Sequence, residues 1–447
     1  MKIWQKNTNT SSSPNERMLQ FTVGNDRALD VYLAPWDVLG SIAHAKMLQS
    51  VGLLSESEKN ALVAELKNIY ATIAAGSFSL SDEMEDVHSQ VEWLLTQQLG
   101  DTGKKIHSAR SRNDQVLLDM KLFLRHEIEL TVVSTVQLFD LLIQLSEKHK
   151  ADLLPGYTHL QLAMPSSFGL WFGAYAESLV DDLETVKAAY AIVNKNPLGS
   201  AAGYGSSFPI NRNLTTDLLG FEDLNYNVVY AQMGRGKTER IVAAAIANIA
   251  ATLSKMSMDA CLYLNQQFGF ILFPDSLTTG SSIMPHKKNP DVFELIRSHC
   301  NRIQALPGEI VLMTNNLPSG YHRDLQLLKE HLIPALTQLR ACLEMAVLMF
   351  QNITVKPNLL QDEKYQYLFS VEAVNQKVLE GLAFRDAYRE VGTAIEKGTF
   401  KAAPEVQHTH EGSIGNLCNA EIVKMMESVV VGFKFDTVKN ALEQLLQ

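Results

Sequence analysis

The sequence predicts an all-α protein built around a central bundle of long helices, and three observations carry this prediction. Glycine and proline are scarce, at 25 and 14 of 447 residues, below the roughly 7% and 5% of average chains. Apolar residues recur three or four positions apart over long stretches, which is the period of a helix face. The loops between these stretches, such as 196–207 and 278–282, are rich in small residues. Long helices joined by such loops are typical of bundles.

The predicted elements follow in chain order. The chain up to about residue 110 holds short helices, one of them opened by a capping box of Ser55 and Glu58. Later segments lengthen, and a proline at position 357 interrupts them before a last group of shorter helices. The long helical patterns lie at 116–149, 166–193, 238–264 and 290–306. We therefore expect three domains, at 1–110, 111–360 and 361–447.

Composition and charge exclude several classes of protein. The net charge is −10, from 39 basic and 49 acidic residues, so the chain lacks the basic surface of a nucleic-acid binder. The four cysteines are far apart, which indicates neither a disulfide scaffold nor a zinc cluster and favours a reducing cytoplasm. The first residues form no secretory signal, and no uncharged apolar run reaches the 18–20 residues that cross a bilayer. We expect a cytoplasmic protein without a membrane segment.

The loop at 280–291 is the segment that most strongly indicates a catalytic or anion-binding site. Asn289 followed by Pro290 predicts an N-cap and the first residue of a helix. The positive end of that helix and Lys287 would then face one loop, which suits a carboxylate or a developing anion. A serine held beside them, such as Ser281, can act as a base. The alternative is a solvated connector with two exposed lysines.

Residues 280–289 match the pattern G-S-S-x-M-P-x-K-x-N of the fumarase/aspartase superfamily at every fixed position. Two further blocks, at 107–116 and 155–161, resemble the argininosuccinate lyase family most closely. The resemblance covers most of the first three quarters of the chain. It implies a three-domain fold with a central long-helix bundle that carries the matching loops, and a homotetramer whose active sites are shared between subunits. It also implies a cofactor-free β-elimination that releases arginine and fumarate from argininosuccinate, the last step of arginine synthesis.

The resemblance also implies roles for single residues. Ser281 corresponds to the family's base, and His159 to the residue that transfers a proton at the leaving group. His88, which follows two acidic residues, is a candidate to orient another catalytic group, and the alternative is a histidine on a helix surface. The positions that correspond to substrate-binding residues are Ser111, Arg112, Asn113, Thr158, Lys287, Asn289, Tyr321, Gln326 and Lys329. For Arg112 the alternative is structural ion pairing with nearby aspartates.

The sequence departs from the family pattern at several positions. Residues 4–7 lack the usual opening, and Gly24 stands where the family has a serine. Tyr230, Met233 and Gly236 occupy positions that are otherwise polar, and His286, which replaces a glutamine, is the residue that adenylosuccinate lyases carry. These departures concern the amine half of the substrate. They leave open an activity like that of adenylosuccinate lyase, or a catalytically silent homologue related to the lens crystallins.

Two other kinds of site are weakly indicated. Residues 231–238 come close to the phosphate-binding pattern G-x-x-x-x-G-K-[ST], but the first glycine is Ala231 and no strand–helix series surrounds it. His408, His410 and Glu411 lie close together in a polar loop without a cysteine nearby. We therefore predict neither a nucleotide nor a metal ion, and no other cofactor.

Overall fold

The computed structural model describes residues 17–18, 21–81, 83–401 and 406–447. Helices dominate it, as the sequence predicts. The helices are α1 (Asp26–Asp30), α2 (Ala34–Ser50), α3 (Glu56–Ala74), α4 (Val87–Leu99), α5 (Asp101–Lys104), α6 (Arg112–Lys148), α7 (Phe168–Val193), α8 (Arg212–Leu218), α9 (Val228–Met233), α10 (Lys237–Leu264), α11 (Asp291–Thr314), α12 (Leu328–Gln351), α13 (Ser370–Leu379), α14 (Phe384–Glu396), α15 (Asn419–Val431) and α16 (Phe435–Leu446).

Short strands form three two-stranded sheets in the described part of the chain. An antiparallel hairpin joins β1 (Leu153–Thr158) to β2 (Gln161–Ser167) directly before α7. The other two pairs have two residues per strand: β3 (Lys195–Asn196) with β4 (Asp223–Leu224), and β5 (Ile271–Leu272) with β6 (Thr354–Val355). Pairs of this size fasten loops to the bundle rather than form a layer of their own.

Side-chain caps fix where several helices begin. The capping box predicted at α3 is confirmed, because Ser55 accepts from the backbone N–H of Glu58 and Glu58 accepts from that of Ser55. The long helix α6 opens in the same way with Ser111 and Asp114. Each box satisfies N–H groups that have no partner within the helix.

The main core lies among α6, α7, α10, α11 and α12. Its largest side chains include Phe139 and Phe172, and Ile249 and Leu336 are fully buried beside them. Burying one such side chain stabilises the fold by about 1.5–3 kcal/mol. A second core forms around α2, α3 and α4, and Leu445 of the last helix packs into it. The domain boundaries at 110 and 360 stay a prediction.

The four long helical patterns are confirmed, with one difference at each end of α11. The helix begins at Asp291 with Pro290 as its N-cap residue, so Asn289 does not cap it as predicted. It also continues through Pro307 to Thr314. A proline inside a helix removes one hydrogen bond, but Leu306 and Ile310 are buried on either side of it and hold the helix in place.

Three helical segments have the length and apolar composition of a membrane span: Arg112–Lys148, Lys237–Leu264 and Arg323–Gln351. About half of the most apolar stretch of each is buried inside the chain, where these helices pack against one another. A helix that is apolar on several sides belongs in a bundle core or at a subunit contact as readily as in a bilayer. The absence of a membrane segment therefore stays a prediction from sequence.

Candidate active site

A cleft of about 200 Å³ opens where the start of α6 meets the start of α12. Both carboxylates and cations line it, so it suits a ligand that carries both charges. Its lining residues are Val23, Asp26, Asp30, Glu85, Asp86, His88, Arg112, Asn113, Val116, Arg235, Tyr321, Arg323, Gln326 and Lys329.

The start of α6 places three of the predicted residues. Ser111 is the N-cap, and its hydroxyl accepts from the backbone N–H of Asn113. Arg112 lies 3.3 Å from a carboxylate oxygen of Glu85 and 3.2 Å from one of Asp86, and it donates to Ser89 at 2.7 Å. Its ion-pair partners are thus these two acids, and not the aspartates that follow it in sequence. Arg112 and Asn113 both reach the cleft.

The start of α12 supplies the opposite wall. Lys329 is buried and forms ion pairs with Asp26, at 2.5 Å, and with Asp30. Burial lowers the pKa of Lys329, but these two carboxylates outweigh it and hold the pKa above its usual value. Gln326 donates to the carbonyl oxygens of Thr22 and Val23, both at 3.1 Å. These contacts hold the segment before α1 against the cleft.

His88 lies at the base of the cleft and is buried, which excludes the helix-surface alternative. Its Nδ1 is 2.8 Å from Oδ1 of Asp37 and 3.6 Å from Oδ2 of Asp119. Burial lowers the pKa of His88, but the carboxylates of Asp37, Asp119 and Asp86 raise it to about 10. Burial, with Asp37 beside it, raises the pKa of Asp119 well above its usual range. The imidazole of His88 is therefore charged at neutral pH.

His159 lies at the tip of the β1–β2 hairpin, outside the cleft. Thr158 pairs with Gln161, so His159 and Leu160 form a two-residue turn. Both have positive φ, at +54° and +58°, as a type I′ turn requires. Such backbone is strained for residues other than glycine, and strain of this kind is concentrated at functional sites. The turn presents His159 to solvent in the isolated chain.

The signature loop at 280–289 is closed at its base and exposed at its tip. The backbone N–H of Asn289 donates to the carbonyl of Thr279 at 2.8 Å, and the Asn289 side chain donates to Gly280 at 3.4 Å. At the tip, the hydroxyl oxygen of Ser281 accepts from the backbone N–H groups of Ile283, at 3.4 Å, and Met284, at 3.2 Å. Two such donors stabilise negative charge on that oxygen.

The predicted residues thus occupy three places in the chain. Six of them meet in the cleft: His88, Arg112, Asn113, Tyr321, Gln326 and Lys329. Ser111 caps the adjoining helix. Of the described residues, those of the hairpin and of the signature loop do not line this cleft: Thr158, His159, Ser281, Lys287 and Asn289. Within a single chain, the residues expected to move protons, Ser281 and His159, therefore lie outside the cleft.

The acidic residues of the cleft were not predicted from the sequence. Asp26 and Asp30 are four residues apart on α1 and so share one face of it. This spacing could have indicated from the sequence that the two carboxylates lie on the same side of the helix. Glu85 and Asp86 precede His88 with Val87 between them, but nothing in the sequence indicates that Arg112 would pair with them at the cleft. Their role becomes visible only once the start of α6 is placed.

Of the departures from the family pattern, Gly24 directly follows Val23, which lines the cleft, and His286 lies in the signature loop outside it. Gly24 has φ of +51°, a conformation in which the family's serine would be strained. Tyr230 and Met233 lie on α9 (Val228–Met233), a helix at the place where a phosphate-binding loop would follow a strand. Residues 4–7 lie outside the described part of the chain. In the polar loop that was considered as a weak metal site, Nε2 of His408 lies 3.0 Å from a carboxylate oxygen of Glu372.

Comparison with known proteins identifies the family. A family model described as a lyase matches residues 6–305. The chain is 60% identical over 445 residues to the argininosuccinate lyase of Parabacteroides distasonis and 59% identical to that of Bacteroides thetaiotaomicron, covering all of this chain and 99% of each relative. A crystal structure of EDDS lyase in complex with formate has a TM-score of 0.76 at 21% identity, covering 98% of this chain and 95% of the other. The chain belongs to the argininosuccinate lyase family, within the fumarase/aspartase superfamily.

Proposed function

We propose that the chain cleaves argininosuccinate to arginine and fumarate by reversible β-elimination. The observation that carries this proposal is the full-length identity of about 60% to relatives of that name, together with an intact signature loop. The reaction needs a base for a weakly acidic C–H, support for the dianion that forms, and an acid for the leaving nitrogen.

Ser281 is the proposed base. The two backbone N–H groups directed at its hydroxyl oxygen favour the alkoxide that would take the proton. Lys287, six residues on and exposed, is the cation that we assign to the substrate carboxylate, with Asn289 beside it. His159, at the hairpin tip, is assigned to proton transfer at the leaving nitrogen. These assignments rest on the family resemblance and on the geometry of each loop.

The cleft is the proposed site for the arginine end of the substrate. That end carries a guanidinium, an ammonium and a carboxylate. Glu85, Asp86 and Asp26 line the cleft and match the two cations, while Arg323 and Tyr321 offer donors for the carboxylate. Arg112, Arg323 and Lys329 are already ion-paired with acids of the cleft, so a substrate carboxylate that reached them would compete with those pairs.

We propose that a homotetramer brings the three places together. The hairpin and the signature loop are both exposed and lie outside the cleft of their own chain. A partner that supplied Ser281 and another that supplied His159 would complete a site around the cleft. A closed assembly of identical chains repeats this arrangement at every subunit.

Fumarate release from argininosuccinate and from adenylosuccinate, measured side by side, tests the substrate. We expect release from argininosuccinate only. Release only from adenylosuccinate would transfer the proposal to that substrate, and release from neither would support a catalytically silent homologue. Ser281→Ala should lower kcat by on the order of 10²–10⁴. Ser282→Ala, a change of the same size at the neighbouring exposed residue, should leave kcat within a few fold of wild type.

Subunit mixing tests the shared sites. Ser281→Ala and Asn113→Ala should each be inactive alone. After unfolding and refolding together, some sites would combine an intact loop from one chain with an intact cleft from another, and activity should return. Ser281→Ala mixed with Lys287→Ala is the matched control, because both changes fall in one loop and no intact loop exists in the mixture. Equal recovery in the two mixtures, or full activity of a monomer, would contradict the proposal.

A further inference from the structure

A second cleft, of about 190 Å³, opens between the start of α10 and the loop that follows α11. It is lined by Gln232, Met233, Arg235, Gly236, Lys237, Arg240, Thr314, Leu317, Pro318, Ser319, Gly320, His322 and Leu325. Three of these side chains are permanent cations, and among the described residues no aspartate or glutamate lines the cleft. These cations are concentrated in one cleft of a chain whose net charge is −10.

The outer two cations have no acidic partner in the described part of the chain. Nζ of Lys237 lies 3.3 Å from the phenol oxygen of Tyr230 and 5.1 Å from the centre of its ring. Arg240 is exposed and forms no ion pair with a described carboxylate. Arg235, deeper in the cleft, is paired with Glu239 at 2.8 Å. The charge of Lys237 and Arg240 is therefore available to a ligand.

The backbone N–H of Gly236 is not available to an anion in this cleft. A phosphate-binding loop uses free backbone N–H groups, but here the N–H of Gly236 already donates to the Glu239 carboxylate at 2.7 Å. The carboxylate of Glu239 thereby caps the first turn of α10. An anion would be held by side chains, with Lys237 and Arg240 three residues apart on one helix face.

We propose that this second cleft binds a small oxyanion of the phosphate class through Lys237 and Arg240. An arginine guanidinium pairs with phosphate through two parallel N–H donors, and a lysine ammonium adds a point charge. Ser319 offers a hydroxyl on the facing loop, and Met233 and Leu317 form apolar walls. The volume of the cleft, about 190 Å³, is several times the roughly 30 Å³ that one water molecule takes in the liquid. It therefore has room for a phosphoryl group together with part of its parent molecule.

The second cleft adjoins the first. Arg235 lines both, and it donates to the carbonyl oxygen of Leu325 at 3.0 Å, directly before Gln326 of the first cleft. The proposed site is nevertheless distinct, because Lys237 and Arg240 line only the second cleft. Binding can therefore be measured in the absence of any substrate, and its result does not depend on the proposed reaction.

Titration calorimetry of the full chain with inorganic phosphate, against chloride at matched ionic strength, tests this proposal. We expect saturable binding that weakens about tenfold or more when Lys237→Gln and Arg240→Gln are combined. Lys255→Gln, an exposed lysine of the same helix outside the cleft, should bind as wild type does. Arg240→Lys keeps the charge but loses the paired N–H donors, so it should bind phosphate more weakly than wild type and more tightly than Arg240→Gln.

A second arm of the experiment uses a nucleoside monophosphate as the titrant. Tighter binding than that of inorganic phosphate would identify the ligand as a phosphoryl group on a larger molecule, and equal or weaker binding would identify the free ion. The absence of saturable phosphate binding would overturn the proposal. So would equal affinity in the wild type and in a double variant that melts at the wild-type temperature.

Discussion

The Nδ1 atom of His88 lies 2.8 Å from Oδ1 of Asp37, and both side chains are buried at the base of the first cleft. Oδ2 of Asp119 is 3.6 Å from the same nitrogen and has no hydrogen-bond partner among the described residues. One imidazolium therefore lies beside two buried carboxyl groups. A buried charge without a partner is far more costly than a paired one, so the cluster depends on His88.

Replacing His88 should destabilise the fold strongly. His88→Ala leaves the carboxylate of Asp37 buried without its partner, and breaking a buried pair in this way costs about 3–5 kcal/mol. Urea unfolding of the wild type and the variant measures the difference in the free energy of unfolding.

An exposed pair of the same geometry is the control for that measurement. Nδ1 of His331 lies 2.9 Å from a carboxylate oxygen of Glu309, but both side chains are partly exposed to solvent. His331→Ala should therefore cost only about 0–1 kcal/mol. Equal losses for His88→Ala and His331→Ala would show that burial of the first pair contributes nothing.

The charge on His88 also predicts a pH dependence. Burial opposes the charge, but Asp37 and Asp119 raise the pKa of His88 to about 10, against roughly 6.5 in the unfolded chain. Its stabilising contribution is therefore complete below pH 6.5 and is lost as the pH rises through 10. The stability difference between wild type and His88→Ala should shrink over this range. A difference that stays constant or grows would contradict a charged His88.

The sequence predicted the long helices well because their signal is local. Apolar residues three or four apart mark one face of a helix wherever it packs, and Ser55 and Glu58 carry the cap within four residues. The hairpin before α7 was not predicted. Its turn is formed by His159 and Leu160, and leucine is not a residue that normally adopts positive φ. A turn of that kind is imposed by its surroundings and leaves no local signature.

The candidate site was predictable in its members but not in their contacts. The matching blocks pointed to Arg112, Asn113 and Lys329, and the structure brings them into one cleft. The acids that pair with Lys329 lie far away in the sequence: Asp30 is 299 positions from it, and Asp26 is 303 (329 − 26). Arg112 instead pairs with Glu85, 27 positions away, and the helices α4 and α5 lie between the two in the chain. Such pairs depend on packing, which no local pattern records.

Lys121, on α6, is a buried cation that no described carboxylate contacts directly, and it predicts the opposite pH dependence. Its Nζ donates to the carbonyl of Lys195 at 2.8 Å and to the side-chain oxygen of Asn225 at 2.7 Å. Burial lowers the pKa of Lys121 to about 7, against roughly 10.4 when unfolded. The unfolded chain therefore binds more protons between pH 7 and 10, and this lysine makes stability rise with pH in that window.

Lys121→Met should remove that rise. The free energy of unfolding of wild type, relative to Lys121→Met, is expected to increase from pH 7 to pH 10. Lys148→Met, an exposed lysine on the same helix, should leave the pH profile unchanged. Parallel profiles for wild type and Lys121→Met, measured by urea unfolding at several pH values, would show that Lys121 keeps its proton in the fold.

The turn at the hairpin tip predicts a stabilising substitution. Leu160 has φ of +58°, which costs a residue with a Cβ roughly 1–2 kcal/mol. Leu160→Gly removes that strain, while the greater freedom of glycine in the unfolded chain offsets roughly 0.5–1 kcal/mol. The free energy of unfolding should therefore rise by about 0.5–1 kcal/mol. Leu162→Gly on β2, where φ is not positive, should lower it instead. A loss of stability in Leu160→Gly would mean that the exposed leucine packs against a partner subunit, which the oligomeric state of the variant would reveal.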